Sequence, residues 1–176
     1  HKNYEKIPER FQALRVKYYN NLTDVQAKYG RILNETSTLN LIGESFLNAS
    51  ESPKSVELDS ASYFFKEAYK SAQKFNPPHE NSETLYQLRE AEVLIAKQYY
   101  KNALNLIYKY SKKSKKFDTE HRINGLKAIC YNNMNKSDSS FFYAQKFLKT
   151  YNKHKGNKEK LIAIYDILSN QYFKKK

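Results

Sequence analysis

The chain contains little of what tight turns and disulfide frameworks require. Glycine and proline occur only four times each among 176 residues, which disfavours a β-sandwich or β-barrel with its many tight turns. Cys130 is the only cysteine, so an internal disulfide and a cysteine-based zinc site are both excluded. No apolar run approaches the length of about eighteen residues that a membrane-spanning helix needs. We therefore expect no membrane insertion of this chain.

Neither end of the chain carries a recognisable targeting segment. The sequence opens at His1 without an initiator methionine and closes on QYFKKK within a helical pattern. These features predict that the chain is a segment of a longer protein. The compartment therefore stays open between the cytoplasm and an extracytoplasmic arm of a membrane-tethered regulator.

A helical period runs along almost the whole sequence. In residues 161–172 the apolar side chains recur at intervals of three and four, and similar stripes occupy residues 85–97 and 38–47. This spacing places apolar side chains on one face of an amphipathic helix. No stretch of four or more residues alternates cleanly between apolar and polar as a strand does. The pattern predicts an all-α fold of about seven or eight antiparallel helices, each of roughly 12–18 residues.

One phrase occurs twice in the chain. Residues 57–71 (ELDSASYFFKEAYKS) and 136–150 (KSDSSFFYAQKFLKT) both place Asp-Ser and a small residue before aromatic and lysine-rich sequence. Each copy begins the second helix of a predicted pair, and Tyr100–Ser111 is a third helix of this kind. The first helix of each pair carries a small residue followed three positions later by a larger apolar one. These pairs of positions are Gly43 and Phe46, Ala91 and Leu94, and Ala128 and Tyr131.

This arrangement resembles the tetratricopeptide repeat, a helix–turn–helix unit with small and large residues at set positions. Glu90 and Lys127 depart from it, because they stand where the family has leucine. Leu168, Ser169 and Tyr172 occupy the same frame in a fourth first helix. The matching residues of the three units are Leu39, Ile42, Gly43, Phe46, Ala61, Phe65 and Ala68; then Ala91, Leu94, Tyr100, Ala103 and Ile107; then Ala128, Tyr131, Ser140 and Ala144.

The resemblance implies a domain organisation and a fold. Residues 35–176 would form an array of about three repeats plus a terminal half-repeat, and residues 1–34 a degenerate helical repeat. Such pairs stack into a right-handed superhelical solenoid, because one pair cannot bury its own apolar face. Small residues at the crossings let the backbones approach closely. The degenerate repeat uses Ala13, Val16, Leu22, Val25, Tyr29 and Ile32, and the predicted core aromatic residues are Phe46, Phe65, Tyr100, Tyr131 and Tyr172.

No catalytic or metal-binding pattern accompanies the repeats. The four histidines, at positions 1, 79, 121 and 154, lie far apart, and no glycine-rich loop is present to hold phosphate. Cys130 follows Ile129 on a predicted first helix, where a small buried side chain is the expected state. We predict that the chain is not an enzyme and uses no cofactor or metal.

Arrays of this family bind proteins or peptides, and the resemblance implies a concave groove lined by first helices. Asparagine both donates and accepts hydrogen bonds, so asparagines in a groove can hold a peptide backbone. For Asn132 and Asn133, a role at the helix end is an equal alternative. The predicted groove residues are Asn40, Glu44, Leu47, Asn48, Leu88, Glu92, Ile95, Ile129, Asn132, Asn133, Asp166, Asn170 and Phe173.

The last helix predicts a second contact surface. A half-repeat lacks the helix that would cover its apolar face, so we expect self-association or fraying at residues 158–175. One face of this helix consists of Leu161, Ile164, Tyr165, Leu168 and Tyr172, and Ile167 and Phe173 add apolar surface beyond it.

The charge of the chain supports an alternative function. Thirty-one Lys and Arg against eighteen Asp and Glu give a net charge of +13, and a basic helical domain can bind nucleic acid non-specifically by releasing counterions. Lysine far outnumbers arginine, whose forked guanidinium suits phosphate and base edges, so we do not expect nucleic acid to be the main partner. The composition is similar to that of sensory or regulatory arms of bacterial transcription regulators and sensor kinases. The leading hypothesis is therefore a protein- or peptide-binding regulatory module.

Overall fold

The computed structural model describes residues 24–74, 82–111, 117–154 and 158–174, which form seven α-helices and no strand. This confirms the predicted all-α class. None of these helices combines the length and the apolar character that crossing a membrane requires. The helices are α1 (Asp24–Ala49), α2 (Val56–Ala72), α3 (Ser82–Ala96), α4 (Tyr100–Ser111), α5 (Phe117–Asn133), α6 (Ser137–His154) and α7 (Lys158–Lys174).

Consecutive helices pack side by side in opposite directions. In the first pair, Glu35 in the first half of α1 binds Lys74 just beyond the end of α2, whereas Gly43 further along α1 lies against Phe65 in the middle of α2. The same pattern of neighbours continues from α2 through α7. In addition, α3 contacts α5 and α5 contacts α7. Helices α3 and α5 therefore have neighbours outside their own pair.

The buried core is divided into clusters that each join three consecutive helices. Helix α3 contributes to three clusters and α5 to two, because both are covered on two sides. This explains why α5 lacks the single apolar stripe of an amphipathic helix. Buried members are Leu58, Ala61, Phe65 and Val93 of α2 and α3, against which α1 packs; Leu88, Ala91, Ala103, Ile107 and Leu126 of α3, α4 and α5; and Ala128, Ala144, Phe147, Ile164 and Ile167 of α5, α6 and α7.

Two glycines mark close helix crossings. A Cβ atom added to Gly43 would lie 2.6 Å from the Phe65 ring, and one added to Gly125 would lie 2.9 Å from the Phe147 ring. Both distances are shorter than van der Waals contact, so a larger residue would push the helices apart. The small residue at Gly43 was predicted. In the pair α5 and α6, Gly125 makes this contact in place of the predicted Ala128, which lies one turn later. The ring that Gly125 faces, Phe147, correspondingly lies one turn after Ala144, the position on α6 that matches Phe65.

The turns after α3 and α5 have the same conformation. Gln98 and Asn135 have positive φ angles of 63° and 57°, and the amide that follows each donates to the carbonyl of Leu94 and Tyr131, respectively, at 2.8 and 2.9 Å. These bonds close a Schellman-type helix end, in which a left-handed residue satisfies the last carbonyls. Each residue of the second turn lies 37 positions after its counterpart. The repeat seen in the side chains therefore extends to the backbone.

Helix α1 is longer than any helix that we predicted, with 26 residues. It runs without a break through the predicted boundary between residues 34 and 35. Ile32 is buried, while Ala13, Val16 and Leu22 of the predicted degenerate repeat lie outside the described residues, as do the side chains of positions 25 and 29. The two predicted domains therefore share this helix.

The predicted core aromatic residues differ in burial. Phe65 is fully buried, which confirms its assignment. Phe46, Tyr100 and Tyr131 are half-buried and pack against the clusters from outside, and the side chain of Tyr172 lies outside the described residues.

Helix α7 packs through a face slightly rotated from the predicted one. Ile164, Ile167 and Leu168 are buried against α5 and α6. The preceding pair of helices was expected to cover only part of the predicted face, and Tyr165 of that face is 53% exposed, whereas Ile167 from beyond it packs against the cluster. Ile162 is also exposed. The predicted self-association through this helix stays a prediction.

Candidate functional site

A chain of four charged side chains links the odd-numbered helices α1, α3 and α5. Glu44 of α1 pairs with Arg89 of α3, and Arg89 lies 3.0 Å from Glu92 one turn further along the same helix. Arg122 of α5 donates to Glu92 at 2.5 Å. We call these four residues the charged seam. Each of the three helices thus contributes at least one side chain to the seam. These side chains mark the face of each helix that bears the seam.

The centre of the seam is buried. Glu92 is only 8% exposed, and a carboxylate in such a place requires opposite charges around it. Arg89 and Arg122 supply them, and the guanidinium of Arg89 also lies 5.6 Å from the centre of the Phe65 ring. Glu44 is more exposed and forms one end of the seam. The seam therefore links α1, α3 and α5 by pairing two arginines with two glutamates, while the Nε of Arg122 is buried without a hydrogen-bond partner among the described residues.

Several predicted groove residues lie around the seam on α1. Asn40 donates a hydrogen bond to Glu44 at 3.2 Å. Leu47 is half-buried and Asn48 is exposed, one turn beyond Glu44. The structure thus brings together the four predicted groove residues of the first unit, on the side of α1 that faces α3.

The predicted groove residues of α3 are mostly covered. Leu88 is 1% exposed and belongs to the core between α3, α4 and α5, so it is not accessible to a ligand. Glu92 is the buried centre of the seam. Ile95 packs partly buried against the same cluster. Helix α3 is covered on two sides, by its own pair and by helices of the neighbouring pairs. The groove residues were predicted within each repeat unit separately, so the cover from neighbouring pairs was not considered.

On α5 the predicted asparagines have different roles. Asn133 donates its side-chain amide to the carbonyl of Ile129 at 2.9 Å and accepts from the Tyr100 hydroxyl at 3.3 Å. These bonds match the helix-end role that was the alternative for this residue. Asn132 is exposed and Ile129 is half-buried. On α7, Asp166 and Asn170 are exposed, while the side chain of Phe173 lies outside the described residues.

The sequence did not identify four residues of this face. Arg89 and Arg122 complete the seam, and the exposed Leu41 and Leu85 lie one turn before Glu44 and Arg89 on their helices. Residues three or four apart share a helix face, so both leucines flank the seam. The scarcity of arginine was a usable signal. In a chain whose positive charge is mainly lysine, an arginine on a first helix indicates that a forked donor is needed.

A second buried charge lies where α5 meets α4 and α6. The ammonium group of Lys127 lies 4.0 Å from the centre of the Tyr108 ring and 5.1 Å from that of Tyr143. The Tyr108 hydroxyl is 2.9 Å from that of Tyr131 and 3.1 Å from that of Tyr143. We call Lys127 and these three tyrosines the tyrosine site.

The tyrosine site shifts the protonation equilibria of its members. Burial, followed by repulsion from Lys146, lowers the pKa of Lys127. Burial, followed by the hydrogen bonds with Tyr131 and Tyr143, raises the pKa of Tyr108. Aromatic rings attract an ammonium group through their quadrupoles, but they do not neutralise it. The site therefore holds a lysine at a cost that the charged seam does not have.

The residues that the structure describes include potential metal ligands and the single cysteine. No group of three or more His, Cys, Asp and Glu among them is arranged to hold a metal ion. Cys130 is buried, as predicted, and burial raises the pKa of its thiol to about 12. A thiol with this pKa stays protonated at neutral pH and is a poor nucleophile.

The chain matches no family model, no curated protein and no solved structure. The repeat frame therefore depends on the residues and contacts of this chain alone.

Proposed function

We propose that the chain is a non-enzymatic helical-repeat module that binds a protein or peptide segment on the face formed by α1, α3 and α5. The observation that carries the proposal is the charged seam. It joins helices from three different pairs and thereby sets them side by side. Exposed leucines and amides lie around the seam, so this face offers both apolar contact and backbone hydrogen bonding to a ligand.

The arrangement of the helices that we propose is a right-handed superhelical solenoid of the tetratricopeptide type. Three observations support it. Each core cluster is shared with the next pair of helices, the turns at Gln98 and Asn135 are alike, and glycines mark crossings in two pairs. In such an array each pair contacts only its neighbours, and the first helices line one extended surface.

The chemistry of this face favours a segment with apolar side chains and an accessible backbone. Leu41 and Leu85 are exposed and provide apolar contacts, whereas Asn48 and Asn132 are exposed and can bond peptide groups. The charges of the seam are engaged within the protein, so we expect charge on the ligand to contribute less than its apolar residues. We propose that such a module serves as the sensory or regulatory arm of a larger bacterial regulator, in line with its composition.

The proposal is tested by selecting ligands from a phage-displayed library of random 16-residue peptides against the immobilised chain. The affinity of a selected synthetic peptide is then measured by calorimetry. The variants L41D and L85D should each weaken binding about tenfold, because a buried apolar contact at an interface contributes on the order of 1–2 kcal/mol.

Matched controls use exposed apolar residues on other helices. Val56 and Tyr63 lie on α2, a second helix, and both are more exposed than Leu41. The variants V56D and Y63D should bind the peptide as the parent chain does. Failure to select any peptide that binds at micromolar concentration, or equal loss of binding in both sets of variants, would contradict the proposal.

A further inference from the structure

A second surface, away from the charged seam, carries several exposed lysines. Helix α4 contains no acidic residue, and α6 contains one, the exposed Asp138 one turn before Phe142. Lys101 and Lys109 of α4, and Lys146 and Lys149 of α6, are all exposed. We call these four residues together with Phe142 the lysine surface.

The two helices meet at this surface. The hydroxyls of Tyr108 on α4 and Tyr143 on α6 lie 3.1 Å apart. Lys109 directly follows the first tyrosine and Phe142 directly precedes the second. The ammonium group of Lys146 lies 4.5 Å from the centre of the Phe142 ring. An exposed aromatic ring therefore lies against a lysine of α6, and a contact between tyrosine hydroxyls links that helix to α4.

Three lysines on other parts of the described helices have acidic partners. Lys70 pairs with Glu67, Lys74 with Glu35 and Lys97 with Asp59. Over the same described ranges, no ion pair involves a lysine of the lysine surface. Other exposed lysines, such as Lys66 and Lys136, also lack an ion pair there, so the lysine surface differs from them by the exposed Phe142 ring against one of its lysines.

We propose that the lysine surface binds single-stranded nucleic acid, weakly and without sequence selectivity. Ammonium groups bind phosphates as point charges and do not read bases. Phe142 is 50% exposed, and a base can stack on an exposed aromatic ring whatever its identity. An anionic membrane is a poorer fit, because Asn102 and Asn105 are exposed on α4 where a membrane-binding helix needs a continuous apolar face.

The test is fluorescence anisotropy of labelled oligo(dT) of thirty nucleotides, titrated over a series of salt concentrations. Four phosphate contacts on a single strand contribute a slope of about −3 in log K against log salt. The variant K101Q/K109Q/K146Q/K149Q should lose about this much of the slope and most of its affinity at low salt. The control K28Q/K54Q/K66Q/K136Q removes the same charge from exposed lysines outside the lysine surface, and it should retain most of both.

The contribution of stacking has its own pair of variants. F142L should weaken binding about fivefold to tenfold without changing the salt slope, because a base stacked on an aromatic side chain loses its partner. Y63L changes an exposed aromatic residue at the corresponding position of α2 and should leave binding unchanged. All of these positions are exposed, so circular dichroism should show unchanged folding.

Three results would overturn the proposal. Equal loss in the two quadruple variants would show that net charge alone causes binding. Tighter binding of the dA·dT duplex or of phosphatidylserine vesicles than of oligo(dT) would identify another polyanion. Unchanged binding by F142L would exclude stacking and with it the preference for single strands.

Discussion

Helix α5 carries two cations, the partly buried Arg122 and the buried Lys127, that the protein accommodates in different ways. Arg122 binds the carboxylate of Glu92 in the charged seam, whereas Lys127 lies against the rings of Tyr108 and Tyr143 in the tyrosine site. A carboxylate neutralises the first cation. Burial, followed by repulsion from Lys146, lowers the pKa of the second. We therefore expect removal of the two charge arrangements to affect stability differently.

The comparison leads to opposite expectations for similar substitutions. Removing the carboxylate from the seam leaves two arginines without their shared partner. Removing the ammonium from the tyrosine site takes away a charge that nothing neutralises. Breaking a buried ion pair is usually strongly destabilising, whereas replacing a buried charge by an apolar residue of similar volume is often neutral or stabilising.

The largest effect is expected for E92Q. It should lower the free energy of unfolding by about 3 kcal/mol, because Arg89 and Arg122 then lack their common carboxylate. Urea denaturation followed by circular dichroism measures this. The control E67Q alters a more exposed pair with Lys70 and should cost far less than E92Q, because exposed ion pairs contribute little. Similar losses in both variants would mean that the seam is no stronger than a surface ion pair.

The next effect has the opposite sign. K127M should raise the free energy of unfolding by about 1 kcal/mol, because methionine fills the same space without a charge. K109M, in which the parent lysine is exposed, should change stability by less than about 0.5 kcal/mol. Clear destabilisation by K127M would show that the attraction of the tyrosine rings outweighs the cost of burial.

A smaller effect concerns pH. The pKa of Lys127 in the folded chain lies below its ordinary value of 10.5. At a pH between the folded and the ordinary pKa, the unfolded chain therefore binds more protons than the folded chain. The stability of the parent chain then rises with pH in that window, and the advantage of K127M shrinks. Cys130 has a raised pKa, which lowers stability above about pH 9 in both proteins, and subtracting one protein from the other removes this effect. Tyr108, whose ring Lys127 contacts, also has a raised pKa, so the measurement stays below its ordinary value of 10.0. Urea denaturation at pH 7 and pH 9.5 decides the matter, and an advantage that does not change with pH would refute the explanation.

The smallest effect is expected at the end of the seam. Glu44 is about a third exposed, so E44Q should cost only about 0.5 kcal/mol, far less than E92Q. The same denaturation experiment compares the two. A loss in E44Q as large as in E92Q would place the energetic centre of the seam between α1 and α3 rather than at Glu92.

Much of the fold follows from local sequence patterns. The helical period and the polar breaks locate the helices, and the small residues locate Gly43 against Phe65. The corresponding contact of the next-but-one pair, Gly125 with Phe147, does not follow from the same frame. A glycine and the aromatic ring it faces can move together by one turn on their two helices with the packing retained, so one consensus position cannot find both.

The candidate site was predictable only in part. Periodicity identifies which side of a helix is apolar, but it does not show that α3 is covered on two sides, and this is why Leu88 is buried. Ion pairs between helices far apart in sequence, such as Glu44 with Arg89, depend on how the pairs stack. Lys127 is a similar example. The sequence shows that a lysine replaces the leucine of the repeat, but it does not show that tyrosines of α4 and α6 surround this lysine.

The most direct test of the proposed binding face is methyl NMR with a selected peptide. The chain is labelled at the methyl groups of leucine and isoleucine, and the peptide from the phage library is added stepwise. The account predicts that the methyl signals of Leu41, Leu85 and Ile95 shift in proportion to occupancy, while those of Leu106 on α4 and Leu148 on α6 stay in place. Shifts confined to Leu106 or Leu148, with Leu41 and Leu85 unchanged, would contradict the assignment of α1, α3 and α5 as the binding face.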